Sequence, residues 1–291
     1  MAGPTAVGKT DVAIKLAQRL GTAIISADSR QCYREMSIGT AKPSPEELAA
    51  VKHYFVGESS VTESISAAGY EARALGYLDE IFLHADSAVV CGGTGLYIKA
   101  LCEGLDEMPA TDDAVLAATE AAYKEHGMEW LQQAVQAEDP AFYAVGEISN
   151  PARLLRVLSF IRSTGKSILD YRSGAIKQRP FTIIKIGLDL PRELLYSKIN
   201  SRVDAMMTLG LLDEVKQLLP YKEYKNLQTV GYSELFAYLA GACTLDEAVE
   251  KIKQHTRNYA KRQLTWFRKD KDINWLRADA TDVVEQILSL G

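Results

Sequence analysis

The sequence predicts an α/β protein: a P-loop NTPase-like parallel sheet core flanked by helices, with a mostly helical insertion domain. Two observations support this fold class. Short apolar strand candidates at residues 23–25 and 88–91 alternate with helical segments, and a phosphate-loop motif opens the first helix. Alternating strands and helices favour a parallel sheet covered by helices.

Composition narrows the class of protein. The chain has 291 residues, a formal net charge of -5, 47% apolar residues and 24% charged residues. These values exclude a disordered, fibrous or uniformly basic nucleic-acid-binding chain. Four cysteines without a C-x-x-C pair predict a reducing, cytoplasmic setting and no structural zinc. No apolar run reaches the roughly 20 residues of a membrane span, and no signal peptide is visible.

The order of the segments predicts three regions. Residues 1–105 form the first part of the P-loop core, and Leu75, Leu78 and Ile81 lie there at helical spacing. Residues 106–180 form a helical insertion domain. Residues 181–291 return to the core, with a strand at 181–188 and only helices after Pro191, including basic C-terminal helices.

The phosphate loop carries the first chemical signal. The run matches G-x-x-x-x-G-K-[ST] and comprises Gly3, Pro4, Thr5, Ala6, Val7, Gly8, Lys9 and Thr10. Its amides and the following helix, predicted from Asp11 towards Leu20, would bind a diphosphate or polyphosphate, with Lys9 neutralising charge and Thr10 holding Mg²⁺. Only two residues precede Gly3, so we expect either that the chain begins downstream of its natural start or that the strand that normally supports such a loop is missing.

Asp28 follows the strand candidate at residues 23–27. A carboxylate at the carboxyl end of a parallel strand faces the ligand crevice. It could be a magnesium ligand, a general base, or an N-cap for the next segment, and these three roles stay open.

A glycine turn follows the next strand candidate, at residues 91–97. Its three glycines permit close backbone approach, and Thr94 adds a hydroxyl. The turn could be a second anion contact opposite the phosphate loop or a tight strand-to-helix turn without a ligand.

Positive charge is concentrated near the C-terminus. Residues 251–271 hold eight Lys or Arg and one Asp, a local net charge of about +7. Ala260, Leu264 and Phe267 form the predicted buried side of this helix, while Arg257, Lys261 and Arg268 lie on another side. The segment fits either a solvated helix face or an RNA-binding face, and its clustering in an acidic chain favours RNA. Tyr259 and Trp266 are interpreted as packing residues.

Together these motifs resemble the tRNA dimethylallyltransferase family, also called isopentenyl-tRNA transferases. The resemblance covers nearly the whole chain, in order. It rests on residues 3–10, 26–33, 38–43, 53–54, 92–97, 150–156, 229–232 and 260–268.

The resemblance implies transfer of a dimethylallyl group from dimethylallyl diphosphate to N6 of adenosine 37, next to the tRNA anticodon, with Mg²⁺ as cofactor. It implies that Asp28 is the general base, that Thr94 contacts the leaving oxygen, and that Lys9, Thr10, the loop amides and Arg202 bind the diphosphate. It also implies contacts with the anticodon stem-loop from Asp28, Ser29, Arg30, Gln31, Ala152, Arg153, Leu154, Leu155, Arg156, Gln228, Thr229, Val230, Gly231, Tyr232, Ser233, Lys261, Arg262, Gln263 and Arg268. Leu116 stands where the family often has an Arg that contacts tRNA.

Three other functions remain open from the sequence. A small-molecule P-loop kinase would explain the phosphate loop but not the basic segment or the glycine turn. An adenylate isopentenyltransferase, acting on free AMP, ADP or ATP, shares the chemistry but needs no basic helix. An RNA-binding module with a degenerate phosphate loop conflicts with intact Lys9, Thr10, Asp28 and Thr94. A monomer is expected.

Overall fold

The computed structural model describes residues 1–290. Its strands are β1 Ile24–Ser26, β2 His53–Tyr54, β3 Val89–Cys91, β4 Ile186–Asp189 and β5 Asn274–Arg277. Its α-helices are α1 Lys9–Leu20, α2 Pro45–Ala50, α3 Ala67–Ile81, α4 Gly95–Glu103, α5 Asp113–Glu138, α6 Pro140–Val145, α7 Pro151–Thr164, α8 Arg192–Thr208, α9 Leu211–Gln217, α10 Tyr232–Leu239, α11 Leu245–Phe267 and α12 Val283–Leu288. The expected α/β class, a parallel sheet flanked by helices, is confirmed.

All strand pairs are parallel. One sheet has the order β2-β1-β3, and a second pairs β4 with β5. Ala2 forms parallel bridges to Gly92 and to Gly187, so it joins the two sheets. Its N–H donates to the Ile186 carbonyl at 2.7 Å, and its own carbonyl accepts from the Leu188 N–H at 2.9 Å. The expectation that the phosphate loop lacks a preceding strand is therefore wrong in part, because Ala2 occupies a strand position between β3 and β4.

Two predictions for the C-terminal half are wrong. Residues 181–185 are not in a strand, and β4 comprises only Ile186–Asp189. The segment after Pro191 is not entirely helical, because β5 pairs with β4 over four residues. This strand is short and lies at the sheet edge, directly after a charged run, so its local pattern gives little β signal.

The chain divides into two compact units: Met1–Cys102 with Arg179 onward, and Glu103–Gln178. The first unit contains the sheets and the phosphate loop, and two buried apolar clusters fill it. The second unit packs α5, α6 and α7 around its own core, which includes Leu131, Phe142 and Leu158. Gly127, at φ 77°, produces a kink within α5.

The helix α11 has the faces predicted from its spacing, except at Arg257. Thr244 and Glu247 form a capping box at its N-terminus. Ala260 and Phe267 are buried, Leu264 is half-buried, and Lys261 and Arg268 are exposed. Arg257 is half-buried and donates to Asn200 Oδ1 at 2.7 Å. Within residues 1–290, none of the helices combines the length and the apolarity that crossing a bilayer requires.

Candidate active site

The phosphate loop connects Ala2 to α1. Gly8 caps α1 in the left-handed region at φ 104°, and a Cβ on Gly3 would lie 2.7 Å from the Leu188 carbonyl oxygen. These two glycines therefore serve the backbone path, as the motif predicts. The Lys9 ammonium donates to the Gly3 carbonyl at 3.0 Å and to the Pro4 carbonyl at 2.7 Å, so the loop closes over its own lysine.

Lys9 lies in a strongly perturbed environment. Burial lowers the pKa of its ammonium to about 8, while the charge of Asp28 acts in the opposite direction and that of Arg202 lowers the pKa further. Burial also lowers the pKa of Arg202, on α8. Two desolvated cations that act on each other favour the binding of an anion, since an anion would offset both penalties.

Asp28 stands just past the carboxyl end of β1. Its Oδ1 accepts from the Arg30 N–H at 2.8 Å and from the Gln31 N–H at 3.3 Å. This is the capping interaction that the sequence left open. Within residues 1–290, Oδ2 accepts no hydrogen bond, so one carboxylate oxygen is available to a ligand.

The glycine turn meets the Asp28 loop directly. The Thr94 N–H donates to the Ala27 carbonyl at 3.0 Å, and the Thr94 hydroxyl accepts from the Ser29 N–H at 3.0 Å. A Cβ on Gly92 would collide with the backbone of Ala27. The turn therefore sets Thr94 next to Asp28, and only glycine fits at position 92.

Gln263 of α11 joins this turn to the phosphate loop. Its side chain is buried, with 6% of its surface exposed. Its Oε1 accepts from the Thr5 N–H at 2.8 Å, and its Nε2 donates to the Gly93 carbonyl at 2.9 Å. The structure thus brings the phosphate loop, Asp28 and Thr94 into one site, as expected, and adds Gln263 between them.

Three residues expected to contact tRNA have buried side chains. Gln263 is engaged as described, Leu154 is fully buried in the core of the second unit, and Tyr232 is fully buried in the first. A side-chain contact with tRNA is incompatible with this burial. The expectation came from the family resemblance, which carries over whole segments and does not separate their buried positions from their exposed ones.

The buried side chain of Tyr232 packs against the loop at residues 37–39 and bonds to the residue that holds it. Its hydroxyl donates to Glu214 Oε1 at 2.6 Å, and a Cβ on Gly39 would lie 2.6 Å from its ring. Glu214 also accepts the backbone N–H groups of Ser37, Ile38 and Gly39 at 2.9, 2.7 and 3.0 Å. Sequence reasoning missed Glu214, since an acidic residue on a surface helix carries no distinguishing signal.

The other expected tRNA contacts are distributed as follows. Gln31 donates from Nε2 to the carbonyls of Thr40 and Ala41, and Arg268 pairs with Asp189 at 2.9 Å. Arg153 pairs with Glu147 at 2.8 Å within the second unit. Exposed side chains belong to Ala152, Arg153, Arg156, Gln228, Ser233, Lys261, Arg262 and Arg268.

A basic groove runs along α11. Its volume is about 420 Å³, and it is lined by Asn258, Lys261, Arg262, Thr265, Trp266 and Lys269. Trp266 is 43% exposed and Tyr259 is 36% exposed, so both side chains, interpreted from the sequence as packing residues, are also open to solvent. Trp266 does pack tightly, because a Cβ on Gly95 would collide with its indole.

The start of α1 offers oxygen atoms to a metal ion. A cavity of about 20 Å³ is lined by residues that include Thr10, Ser26, Gln31 and His53. Hydroxyl and amide oxygens suit Mg²⁺, which commonly keeps several waters and shares substrate phosphates. No group of three or more His, Cys, Asp or Glu within residues 1–290 could form a self-sufficient metal site. The donors therefore fit a Mg²⁺ ion that is shared with a phosphate ligand.

Comparisons with known proteins give a consistent result. The family model described as IPP transferase matches residues 31–270. The chain is 43% identical to tRNA dimethylallyltransferase 1 of Phocaeicola vulgatus over 99% of this chain and 97% of the relative. It is 45% identical to tRNA dimethylallyltransferase of Cytophaga hutchinsonii over 94% of this chain and 90% of the relative.

Solved structures agree with the sequence comparisons. The crystal structure of the full-length tRNA isopentenylpyrophosphate transferase from Bacillus halodurans superposes with a TM-score of 0.72 at 35% identity, covering 99% of this chain and 93% of that one. A eukaryotic dimethylallyltransferase acting on tRNA shares the fold, with a TM-score of 0.79 at 23% identity and coverage of 99% and 76%.

Proposed function

The chain belongs to the IPP transferase family, and on that basis we propose that it transfers a dimethylallyl group from dimethylallyl diphosphate to N6 of adenosine 37 of tRNA, releasing diphosphate. The observation that carries the proposal is the juxtaposition of Asp28 and Thr94 beside a phosphate loop whose lysine is desolvated. The division into a P-loop core, residues 1–105 and 181–291, and a helical insertion domain, residues 106–180, forms part of this proposal. The compact unit Glu103–Gln178 supports it.

The diphosphate binds at the start of α1. Loop amides and the positive end of the helix face the anion, and Lys9 exchanges its two loop carbonyls for phosphate oxygens. Arg202 adds a second positive charge. Thr10 would hold Mg²⁺ through its hydroxyl, and a bound ion would supply positive charge that offsets the negative charge of the diphosphate.

The transfer exchanges one bond for another. The allylic C–O bond breaks, the new C–N bond forms to the adenine amine, and the bonding pair leaves with the diphosphate. Lys9 stabilises the charge that grows on the leaving oxygens, and Thr94 contacts the leaving oxygen. The amine proton goes to Asp28, whose Oδ2 accepts no hydrogen bond from the described residues while Oδ1 is fixed by two backbone N–H groups.

The acceptor is the anticodon stem-loop. Exposed Lys261 and Arg262 on the basic groove of α11 bind phosphates, while Ser29, Arg30 and Gln31 adjoin the base-accepting side. A loop adenosine leaves its stack at lower cost than a duplex base, so it can reach the site more readily. The enzyme acts in the cytoplasm and as a monomer. Light scattering tests the oligomeric state by measuring the molar mass in solution.

The proposal is tested with unmodified anticodon stem-loop RNA, dimethylallyl diphosphate and Mg²⁺, with AMP as a competing acceptor. Mass spectrometry is expected to find one dimethylallyl group on the adenosine 3′ of the anticodon and none on AMP. The Asp28→Ala variant should lose the transfer. Modification of AMP alone would reassign the protein as an adenylate isopentenyltransferase, and phosphoryl transfer to a small acceptor would make it a kinase.

A further inference from the structure

Gln263 is a buried amide within an otherwise exposed basic turn. Lys261 and Arg262 precede it and are exposed, whereas Gln263 has only 6% of its surface exposed. Successive residues on a helix point about 100° apart, so one rigid turn presents two cations to solvent and an amide to the interior. A buried amide must be hydrogen-bonded at both ends to avoid a large desolvation cost.

Both ends of this amide are used, and they contact different parts of the active site. The acceptor end binds the Thr5 N–H of the phosphate loop at 2.8 Å. The donor end binds the carbonyl of Gly93 at 2.9 Å, next to Thr94. A Cβ on Gly93 would collide with the amide nitrogen, so the glycine allows this close approach.

We propose that Gln263 is a positioning residue that fixes the distance between the diphosphate-binding loop and the Thr94–Asp28 side of the site. The inference rests on the proposed function, because the two sides must act on one allylic substrate. Displacing one reacting group by about 1 Å can cost on the order of a hundredfold in rate. It follows that the Thr5 N–H is committed to Gln263 and is not a diphosphate donor.

The same turn connects RNA binding to this geometry. Phosphates held by Lys261 and Arg262 would restrain the backbone turn that carries Gln263. The restraint acts on both hydrogen bonds at once, since they share one amide. Bound RNA is therefore expected to stabilise the arrangement of the two loops, although Gln263 itself does not contact RNA.

The variant Gln263→Met tests this role, because it keeps the side-chain length and removes both hydrogen bonds. The matched control is Gln254→Met, at an exposed position of the same helix. Gln263→Met should lower kcat by about tenfold to a hundredfold and leave the Kd for stem-loop RNA within about threefold. A tenfold weaker RNA Kd with unchanged kcat, or unchanged kcat in a folded variant, would overturn the proposal.

Hydrogen exchange tests the two hydrogen bonds of Gln263 independently of catalysis. In Gln263→Met, peptides covering residues 3–10 and 91–97 should both exchange faster, while in Gln254→Met they should not. Unchanged exchange of both peptides in Gln263→Met would refute the positioning role, even if the variant is active. If the wild type transfers nothing, the proposed function fails, but the exchange result still decides the contact.

A second variant covers the case in which Gln263→Met does not fold. Gln263→Glu keeps an acceptor for the Thr5 N–H and loses the donor to the Gly93 carbonyl. It should loosen the peptide at 91–97 and leave the peptide at 3–10 protected. Equal loosening of both peptides, or of neither, would contradict the assignment of the two ends.

Discussion

At the residue scale, Asp28 has an observed structural role and a proposed chemical role. One oxygen organises the turn through Arg30 and Gln31, and the other accepts no hydrogen bond within residues 1–290. Of the three roles that the sequence left open, the cap is made by Oδ1, and the proposed role of general base would fall to Oδ2 of the same side chain. A substitution that preserves the cap can separate them.

Asp28→Asn provides that separation. The amide oxygen can still accept from the two backbone N–H groups, but it cannot take a proton from the adenine amine. Transfer should fall by about a hundredfold to ten-thousandfold, as is typical for loss of a general base, with RNA affinity and melting temperature little changed. Single-turnover kinetics measure this loss. Retention of more than a tenth of the rate would remove Asp28 from the role of base.

Lys9 gives a pH prediction. Its pKa in the free enzyme is lowered to about 8 by burial, so its charge is present below that pH and lost above it. The KM for dimethylallyl diphosphate should therefore rise by about tenfold per pH unit above 8.

The matched variant for this profile is Lys9→Arg. The guanidinium stays charged throughout the range, so its KM should remain flat with pH even if its value is higher. A wild-type KM that is constant up to pH 9.5 would show that the pKa of Lys9 is not lowered to about 8.

At the scale of elements, the glycine turn between β3 and α4 is defined by its neighbours. A Cβ at position 92 meets the backbone of Ala27, which cannot move aside as a side chain can. Gly92→Ala should lower the free energy of unfolding by about 2–3 kcal/mol, as overpacking does. The control is Gly76→Ala on α3, where a Cβ meets nothing within 4 Å. This variant should raise the free energy of unfolding by about 0.5–1 kcal/mol, because alanine has the higher helix propensity. Urea denaturation measures the free energy of unfolding of both variants. Equal effects would contradict a steric clash between a Cβ at position 92 and the backbone of Ala27.

The basic face of α11 gives the second element-scale prediction. Lys261→Ala and Arg262→Ala should each weaken stem-loop binding by about threefold to tenfold and reduce the salt slope by about 1. Lys253→Ala is the control, since Lys253 pairs with Asp204 and Glu250 at 2.9 Å on the same helix. Fluorescence anisotropy at several salt concentrations measures both quantities. An equal loss of affinity in Lys253→Ala would indicate a general effect of net charge and would contradict a specific role for Lys261 and Arg262.

Sequence and structure agree where short motifs determine local geometry. The phosphate loop, the position of Asp28 and the glycine turn could be predicted because their glycines and strand ends dictate backbone paths. The strand β5 could not, since a four-residue edge strand is specified by its pairing with β4. Nor could the burial of Gln263 and Tyr232, because their partners lie far away in sequence and only packing reveals them.

At the scale of the whole molecule, distant segments form the site. Residues from the N-terminus, the end of β1, the turn after β3, and helices α8 and α11 all belong to the first compact unit. Ala2 joins the two parallel sheets of this unit through its bridges to Gly92 and Gly187. The chemistry thus depends on the fold of this unit as a whole rather than on any one motif.

The most direct measurement counts both products of one reaction. Purified protein is mixed with stem-loop RNA, Mg²⁺ and dimethylallyl diphosphate, and released diphosphate is quantified alongside alkylated RNA in the same samples. We expect one diphosphate per alkylated RNA and no release without RNA. Diphosphate release that does not require RNA, or RNA left unalkylated while diphosphate accumulates, would contradict the proposed transfer.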